Sequence, residues 1–517
     1  MLLGDILAHN ARNHSGRPAL SSDDVTWSHA DLLSRVNRRA ASLVASGVDR
    51  GDRVAILSHL TPSYVELLFA VTRLGAVLVP LNHLSVVREH ETILKNADAR
   101  FLLFAGGFED TVAALRPELP EPLRILPIEE SAGADPGLPR RSGGETALPR
   151  RGDPAAESDI ALQIYTAGTS GHPRGAMLSH ANLIAACTSA AIEIGLSRDD
   201  VFLSCTPLPL LAGIGRLLHI LFVGGRIVMR NRFDPEEILR TIERSRITHV
   251  LLTPTMMAQI LDLPSANRFN LVTLRNVLYG GATIPLDLLK RAIPFFDCGM
   301  VQSYDQVESS GVLTFLHPED HSMDESAPYM RRLMSVGKEA IGVEVRLVDA
   351  EGSGIPGGQV GEVVARGRNI FAGYYKDPEF SAGTLRNGWL YTGDVASFDQ
   401  EGYLFLLDRK RDVLKVGGIS VYPREIEMIV AEHPSVAEVA VFPRPDYLLG
   451  EVPAAIVVLK EGGSPDADSL IDHCRRNMAP FKIPREIEFA AAIPRNSAGK
   501  VLKAKLKERI TGRGVTR

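Results

Sequence analysis

Cysteine is scarce in this chain, and its distribution excludes two classes of protein. The four cysteines, Cys187, Cys205, Cys298 and Cys474, are far apart in a sequence of 517 residues and form no C-x-x-C pair. Neither a disulfide framework nor a cysteine zinc site is therefore indicated. A reducing compartment is the expectation.

An excess of basic charge and a long hydrophobic run are also missing. The formal net charge of -5 argues against a general nucleic-acid binder, which normally carries many more Lys and Arg than Asp and Glu. Asp5 and His9 interrupt the stretch where a secretory signal would be apolar. The apolar run at 217–223 is too short to span a bilayer, contains His219 and has Arg216 at its edge. These features predict a soluble cytoplasmic protein without a membrane span.

What is present is typical of a large globular enzyme. Hydrophobic residues make up 45% of the chain and charged residues 23%, and the length is sufficient for two or more domains. Short apolar runs at 54–57, 76–80 and 101–104 predict strands, with an amphipathic helix at 63–74 between the first two. The alternation predicts an α/β protein. The Pro-, Gly- and Arg-rich segment 131–158, which contains LPRR twice, predicts a surface loop.

A glycine-rich segment, YTAGTSGHPRG at 165–175, follows a predicted strand at 160–164. Glycines let a backbone approach an anion closely, while hydroxyls and amides donate hydrogen bonds. The candidate phosphate contacts are Thr166, Gly168, Thr169, Ser170, Gly171 and Arg174. The spacing is not that of the ordinary P-loop, and a Gly/Ser/Thr-rich turn by itself is more often a plain loop.

Five later segments make this interpretation specific, because they follow the glycine segment in one order. They are LYGGATIP at 278–285, SYDQVESSG at 303–311, YTGD at 391–394, DRKRDVLKVGGISVYPREIE at 408–427 and PRNSAGK at 494–500. The set resembles the adenylate-forming superfamily of acyl-CoA synthetases, luciferases and nonribosomal adenylation domains, over residues 6–505. The resemblance implies an α/β fold with a large multi-sheet N-terminal domain, 1–410, and a small mobile α+β C-terminal domain, 411–517, hinged at Arg411.

The resemblance also implies a two-step reaction that uses ATP, Mg²⁺ and CoA. A carboxylate attacks the α-phosphate of ATP to form an acyl-adenylate, and a thiol then displaces AMP. Tyr304 would stack on adenine, Asp394 and Arg409 would contact ribose or phosphate, Glu308 would hold Mg²⁺, and Lys500 would stabilise charge at the α-phosphate. The other nucleotide contacts it implies are Gly280, Gly281, Ala282, Asp305 and Val307. Without the motifs, Tyr304 would be read as a core aromatic and Lys500 as a solvated lysine.

For the second step, superfamily members rotate the small domain about the position that matches Arg411. Rotation would withdraw Lys500 and bring in the loop that contains Lys415, Gly417 and Gly418, where small glycines leave a path for pantetheine. The wording of this loop is closer to CoA ligases than to nonribosomal adenylation domains. CoA is therefore the preferred acceptor, and a carrier protein is the alternative.

The chain departs from the family pattern on the ATP side. Ala167, Ser170 and Arg174 replace a hydroxyl residue, a threonine and a lysine, while Asp305 and Val307 replace a glycine and a threonine. Val307 cannot donate a hydrogen bond, and Asp305 adds a carboxylate near a polyanion. One hypothesis is that the enzyme adenylates poorly and uses a preformed acyl-adenylate supplied by a partner ligase. The alternatives are an ordinary ATP-dependent ligase and a non-catalytic acyl-adenylate-binding protein.

The acyl site is predicted from apolar and small residues. They are Leu210, Leu211, Gly213, Met256, Gly281 and Ser303. Such a wall favours a bulky hydrophobic acid over acetate or an amino acid, although Leu and Met residues are more often generic core.

Overall fold

The computed structural model describes residues 1–22, 25–119, 122–128, 155–166, 173–205, 211–282, 284–324, 327–460, 466–495, 501 and 506. The helices in these ranges are α1 Leu3–Asn13, α2 His29–Ala45, α3 Pro62–Arg73, α4 Val87–Asn96, α5 Glu109–Leu115, α6 His180–Ile194, α7 Leu211–Phe222, α8 Pro235–Ser245, α9 Pro254–Leu261, α10 Leu286–Phe296, α11 Ala327–Arg332, α12 Pro378–Thr384, α13 Pro423–Ala431 and α14 Ala467–Asn477.

The strands are β1 Pro18–Ser22, β2 Val25–Ser28, β3 Arg53–Leu57, β4 Val77–Leu81, β5 Phe101–Phe104, β6 Arg124–Pro127, β7 Ile160–Thr166, β8 Arg174–Ser179, β9 Val201–Ser204, β10 Arg226–Met229, β11 His249–Leu251, β12 Asn276–Gly280, β13 Gly299–Tyr304, β14 Thr314–Leu316, β15 Lys338–Glu339, β16 Val343–Val348, β17 Val360–Gly367, β18 Leu385–Arg386, β19 Trp389–Phe398, β20 Leu404–Arg409, β21 Leu414–Val416, β22 Ile419–Val421, β23 Val436–Asp446, β24 Gly450–Leu459 and β25 Glu486–Phe489.

The chain forms two compact units, a large N-terminal one and a smaller C-terminal one. The first comprises Met1–Val345 and Val364–Tyr391, and the second comprises Arg346–Val363 and Thr392–Arg517. The compact units therefore part at Tyr391 rather than at residue 410. Compactness does not identify a pivot, so the hinge at Arg411 stays a prediction. The expected mixed α/β architecture is confirmed.

The first sheet of the large unit has the strand order β6-β5-β3-β4-β7-β8. Its central strands are parallel, with Val54 opposite Leu78, and α3 connects β3 to β4. Every residue of β4 is buried, as expected where helices cover both faces of a parallel sheet. The predicted strands at 54–57, 76–80 and 101–104 and the helix at 63–74 are confirmed, with ends shifted by at most one residue. Most of the predicted loop, 131–154, lies outside the described residues.

The second sheet of the large unit positions the candidate site. Its order is β15-β14-β13-β12-β11-β9-β10-β1-β2, and β13 through β1 run parallel. Side chains of α8, α9 and α10 form a core against one face, to which Met300 of β13 contributes. Side chains alternate along a strand, so Ser303 lies on the opposite face. There it bonds Arg216 of α7, which places α7 on that face.

The small unit carries its own sheet, with the order β22-β21-β24-β23 and β25 beside β24. Helices α13 and α14 contribute Ile426, Val430 and Leu470 to a core shared with Leu414 and Val416 of β21. Within the part of the chain that the structure describes, no helix is long and apolar enough to cross a membrane.

Candidate active site

Two glycines bring the ends of β12 and β13 together. Gly280 pairs with Ser303 in parallel register, and a Cβ on Gly280 would lie 2.5 Å from the Ser303 carbonyl oxygen. Gly281 has φ +73°, which disfavours any residue with a side chain. Carboxyl ends of parallel strands are the usual ligand edge of an α/β sheet. The structure thus places Gly280, Gly281 and Ser303 at this edge, with Ala282 next along the chain, and their roles at a nucleotide or acyl site stay predictions.

The turn after β13 carries the candidate metal ligand. Val307, Glu308 and Ser309 form one 3₁₀ turn, and Ser310 adopts a left-handed φ of 53°. Such backbone is sparsely populated by residues other than glycine and clusters at functional sites. A Cβ on Gly311 would lie 3.5 Å from Leu211 Cδ2, so the buried Leu211 of the predicted acyl set packs beside this turn.

The Glu308 side chain is held by a residue that the sequence reasoning did not include. The buried Tyr374 hydroxyl donates a hydrogen bond to Glu308 Oε1 at 2.7 Å. Burial, followed by the charge of Glu308, raises the pKa of Tyr374, so the hydroxyl keeps its proton at any working pH. The backbone N–H of Phe371 also donates to the Glu308 carbonyl oxygen at 2.9 Å. Segment 371–374 therefore fixes both the backbone and the carboxylate of Glu308.

Residues that follow Tyr374, up to Phe380, contact Arg174, the first residue of β8. Arg174 Nε donates to Asp377 Oδ2 at 2.9 Å, and its guanidinium lies 3.7 Å from the Phe380 ring centroid. Backbone bonds join Tyr375 N–H to the Gly175 carbonyl and Ala372 N–H to the Met177 carbonyl. Segment 371–380 thus contacts both Arg174, a predicted phosphate contact, and Glu308, the predicted metal ligand. In the sequence, the run GYYKDPEF at 373–380 is the feature that could have pointed to Tyr374 and Asp377.

Asp305 also has partners inside the protein. The Ser303 hydroxyl accepts a hydrogen bond from Arg216 Nη2 at 2.8 Å and donates one to Asp305 Oδ2 at 3.2 Å. In the sequence, Arg216 stands out only as a charge at the edge of an apolar run. The carboxylate that was expected to face a polyanion is thus linked through Ser303 to a buried cation.

Other predicted residues of the large unit are placed without their roles being tested. Tyr304 is 8% exposed and pairs with Thr314 of β14, so adenine stacking on it stays a prediction. Gly213 is buried in α7. Met256 is half-buried and packs against the core of α8 to α10, which is the generic alternative for this residue. Thr166 ends β7.

In the small unit, Asp394 and Arg409 face each other across β19 and β20. Arg409 Nε lies 2.8 Å from Asp394 Oδ1, and Asp394 is only 6% exposed. Arg409 also donates from Nη1 to the Thr392 carbonyl oxygen at 3.3 Å. The Arg409 ion pair orients the Asp394 carboxylate, and the contact of Asp394 and Arg409 with ribose or phosphate stays a prediction.

The loop predicted to meet CoA is a tight hairpin between β21 and β22. Gly417 and Gly418 have φ of 56° and 86°, and two consecutive positive values are what a two-residue type I′ turn demands. Lys415 Nζ donates to Ser420 Oγ at 2.7 Å. Arg411 lies in a 3₁₀ turn, with Nε 3.8 Å from Asp412 Oδ2. The roles of Lys415 and Arg411 stay predictions.

Several predicted site residues lie outside the described residues. They are Gly168, Thr169, Ser170, Gly171, Leu210 and Lys500.

The donor set suits a magnesium ion that is bound together with its nucleotide. Mg²⁺ is commonly held by one or two carboxylates plus substrate phosphates rather than by an all-protein cage. Glu308 is such a carboxylate, and across the described ranges no group of three or more His, Cys, Asp or Glu forms a separate metal cluster. The ion would neutralise phosphate charge, while Tyr374 keeps Glu308 in place.

A mixed α/β fold with these ordered motifs defines an enzyme that activates carboxylic acids as adenylates. Two family models match the chain, the AMP-binding enzyme over residues 7–375 and the AMP-binding enzyme C-terminal domain over residues 425–500. The chain belongs to the AMP-binding enzyme family and, within it, to the acyl-CoA synthetase branch of the adenylate-forming enzymes.

Individual relatives agree with this assignment. A feruloyl-CoA synthase of Amycolatopsis sp is 35% identical over 98% of this chain and 99% of that protein. A 3-[(3aS,4S,7aS)-7a-methyl-1,5-dioxo-octahydro-1H-inden-4-yl]propanoyl:CoA ligase of Mycobacterium tuberculosis is 34% identical over 95% of each chain. The amide bond synthetase McbA from Marinactinospora thermotolerans has a similar structure, with a TM-score of 0.88 and 30% identity, covering 98% of this chain and 100% of that one.

Proposed function

We propose that this enzyme joins a bulky, largely apolar carboxylic acid to CoA through an acyl-adenylate, and that adenylation is its weaker half-reaction. The observation that carries the second part is the placement of Arg174. Its guanidinium is engaged by Asp377 and the Phe380 ring, at the position where the family pattern has a lysine.

Val307 also favours weak adenylation. It begins the 3₁₀ turn that carries Glu308, and its side chain offers no hydroxyl to a phosphate oxygen. A lost hydrogen bond to a charged group typically costs about 1.5–3 kcal/mol. Glu308, by contrast, is present and held, so the site keeps its metal ligand and ATP use is slowed rather than abolished.

The bulk of the acid follows from the apolar and small residues of the site. Leu211 packs at the Glu308 turn, and a Cβ built on Gly281 would meet no atom within 4 Å, which leaves room for an acyl group there. The relatives named for feruloyl and for a methyl-dioxo-octahydro-indenyl propanoyl group act on acids larger than acetate, which favours a ring-bearing acid here too.

The acceptor is proposed to be the CoA thiol. The hairpin with Lys415, Gly417 and Gly418 is intact, and the named curated relatives are CoA ligases. Similarity to an amide bond synthetase makes an amine the acceptor to test beside CoA and a phosphopantetheinyl carrier protein.

The deciding experiment compares two mixtures across fatty, aryl and polycyclic terpenoid acids. One contains the synthetic acyl-adenylate and CoA, and the other contains the free acid, ATP, Mg²⁺ and CoA. We expect thioester from both, with the first at least about tenfold faster, a rate ratio equivalent to about 1.4 kcal/mol. Equal rates would refute weak adenylation, and no thioester in either mixture would refute the ligase assignment.

A further inference from the structure

A buried polar cluster joins α7 to the end of β13. It consists of Arg216 and His219 of α7 with Ser303 and Asp305 at the end of β13, and is called here the α7 polar cluster. Arg216 is 5% exposed and His219 is 2% exposed. Burying a cation is costly unless its donors are well paired, so the cluster requires an explanation.

The hydrogen bonds of Arg216 are incomplete. A guanidinium has five N–H donors. Nη2 donates to Ser303 Oγ at 2.8 Å, and Nη1 lies 3.2 Å from His219 Nδ1. The buried Nε has no hydrogen-bond partner among the described residues. A donor of this kind, on a side chain that is more than nine-tenths buried, calls for an acceptor that none of the described residues supplies.

The charge state of the cluster is balanced. Burial, and then the charge of Arg216, lower the pKa of His219 well below its usual range, so the imidazole is neutral and Nδ1 accepts. Burial lowers the pKa of Arg216 and the nearby Asp305 carboxylate raises it. One cation and one carboxylate therefore leave no net charge. A second carboxylate entering here would be buried without a cation of its own.

The position of Arg216 directs it to the acyl site. A helical side chain leans over the turn that precedes it, so Arg216 covers the helix surface at Gly213, which is one turn earlier in α7. Ser303, its hydrogen-bond partner, is also a predicted acyl contact. The cluster thus joins α7 and β13, the two elements that carry the predicted acyl contacts Gly213 and Ser303.

We propose that Arg216, supported by Ser303, is a specificity-determining residue that binds an uncharged oxygen of the acyl group, a carbonyl, ether or hydroxyl remote from the reacting carboxyl. This inference rests on the proposed acid-CoA ligase function. A site built to donate to a substrate oxygen rejects the analogue that lacks it, because its buried donor is then left unpaired.

The test uses acids that share a carbon frame and differ in one remote substituent. The aryl set is cinnamate, 4-hydroxycinnamate and 4-carboxycinnamate, and the aliphatic set is decanoate, 10-hydroxydecanoate and decanedioate. Each is supplied as its synthetic adenylate with CoA, so that adenylation does not enter the rate. In the frame that the enzyme accepts, we expect kcat/KM for the hydroxyl-bearing acid to exceed both of the others by about tenfold or more.

Two variants complete the test. Arg216→Met should lower kcat/KM for the hydroxyl-bearing acid about tenfold and reduce the discrimination to near unity, while Arg216→Lys, which keeps a cation but not the fork of donors, should keep part of it. Equal wild-type rates across a set, or an equal fall for every member in Arg216→Met, would overturn the proposal. The wild-type comparison decides even if a variant fails to fold. Thioester without discrimination refutes only this inference, whereas no thioester from any adenylate refutes the ligase function as well.

Discussion

The Tyr374 hydroxyl and the Glu308 carboxylate are joined by a 2.7 Å hydrogen bond across 66 residues of sequence. The bond ties the candidate magnesium ligand to the segment that also binds Arg174 through Asp377. The predicted metal ligand and the predicted phosphate contact Arg174 therefore share one support. Changes in that support should affect adenylation and leave thioester formation from a preformed adenylate nearly intact.

Replacing Tyr374 with Phe removes the donor to Glu308 and, with the same hydroxyl, a hydrogen bond to Thr384. We expect ATP-dependent turnover to fall about tenfold and the KM for MgATP to rise, because a hydrogen bond to a charged group typically contributes about 1.5–3 kcal/mol. The rate from the acyl-adenylate and CoA should change by less than about twofold, an energy difference under about 0.4 kcal/mol. Steady-state kinetics of both half-reactions measure this.

The adjacent Tyr375 provides the matched control. Its hydroxyl donates to Asp98 Oδ2 at 2.8 Å at an exposed position away from Glu308. Tyr375→Phe should leave both reactions at wild-type rates. If Tyr374→Phe slows the two reactions equally, the hydrogen bond serves only the stability of the fold. The prediction that Tyr374 positions Glu308 for adenylation would then be wrong.

Restoring the family residues on the ATP side should strengthen adenylation. In Arg174→Lys with Val307→Thr, the threonine hydroxyl regains a donor, and a lysine cannot keep both the Asp377 bond and the full contact with Phe380. We expect ATP-dependent turnover to rise about five- to tenfold, or about 1–1.4 kcal/mol. The ATP-dependent rate of the variant is divided by its rate from the acyl-adenylate and CoA, and this ratio is compared with that of the wild type. An unchanged ratio of the two rates would show that these substitutions do not limit adenylation.

The free energy of unfolding should fall in acid because of buried neutral histidines. His321 Nδ1–H donates to the His317 carbonyl at 2.7 Å, and Nε2 accepts from the Tyr279 hydroxyl at 2.7 Å. Burial lowers the pKa of His321 to about 4, against 6.5 for an ordinary histidine. The unfolded chain therefore binds a proton below pH 6.5 that the folded chain refuses until about pH 4.

The contribution of His321 is obtained by difference. His321→Gln offers a donor and an acceptor without a titrating ring, so it removes this proton uptake. Between pH 6.5 and 4, the wild type should lose stability faster than the variant by up to about 1.4 kcal/mol per pH unit, and above pH 7 the difference should be constant. Urea denaturation of the full chain, followed by hydrogen exchange near β12 and β13, measures it. Parallel pH curves would contradict the buried neutral state.

Local sequence patterns predicted the helices and strands better than they predicted the side-chain contacts. The apolar runs of β3, β4 and β5 and the helix α3 are encoded by neighbouring residues. Two of the ordered motifs lie at the ends of β12 and β13, strands that the sequence did not predict. Arg216 reaches Ser303 across 87 residues, and Tyr374 reaches Glu308 across 66. Neither pairing leaves a periodic signal, because it depends on how α7 and the segment after β17 pack against the sheet. Buried polar partners of this kind become visible only in the fold.

The glycines of the β21–β22 hairpin have two possible explanations, one conformational and one functional. Gly418 has φ +86°, and a Cβ built on it would have no atom within 4 Å. The positive φ explains the glycine by backbone conformation. The family resemblance explains it instead as space for pantetheine. Gly402 has φ +84° and equally open surroundings in another turn of the same unit. Asparagine tolerates left-handed backbone. Gly418→Asn therefore adds a side chain at little cost to the turn, and Gly402→Asn is its matched control.

If the glycine leaves a path for the thiol, Gly418→Asn should slow thioester formation at least about tenfold, or about 1.4 kcal/mol, and leave the pyrophosphate release that reports adenylation unchanged. Gly402→Asn should lose the same small amount of stability and alter neither reaction. If both variants form thioester at the wild-type rate, Gly417 and Gly418 serve the type I′ turn alone. The CoA path must then be sought elsewhere on the unit that carries Lys415.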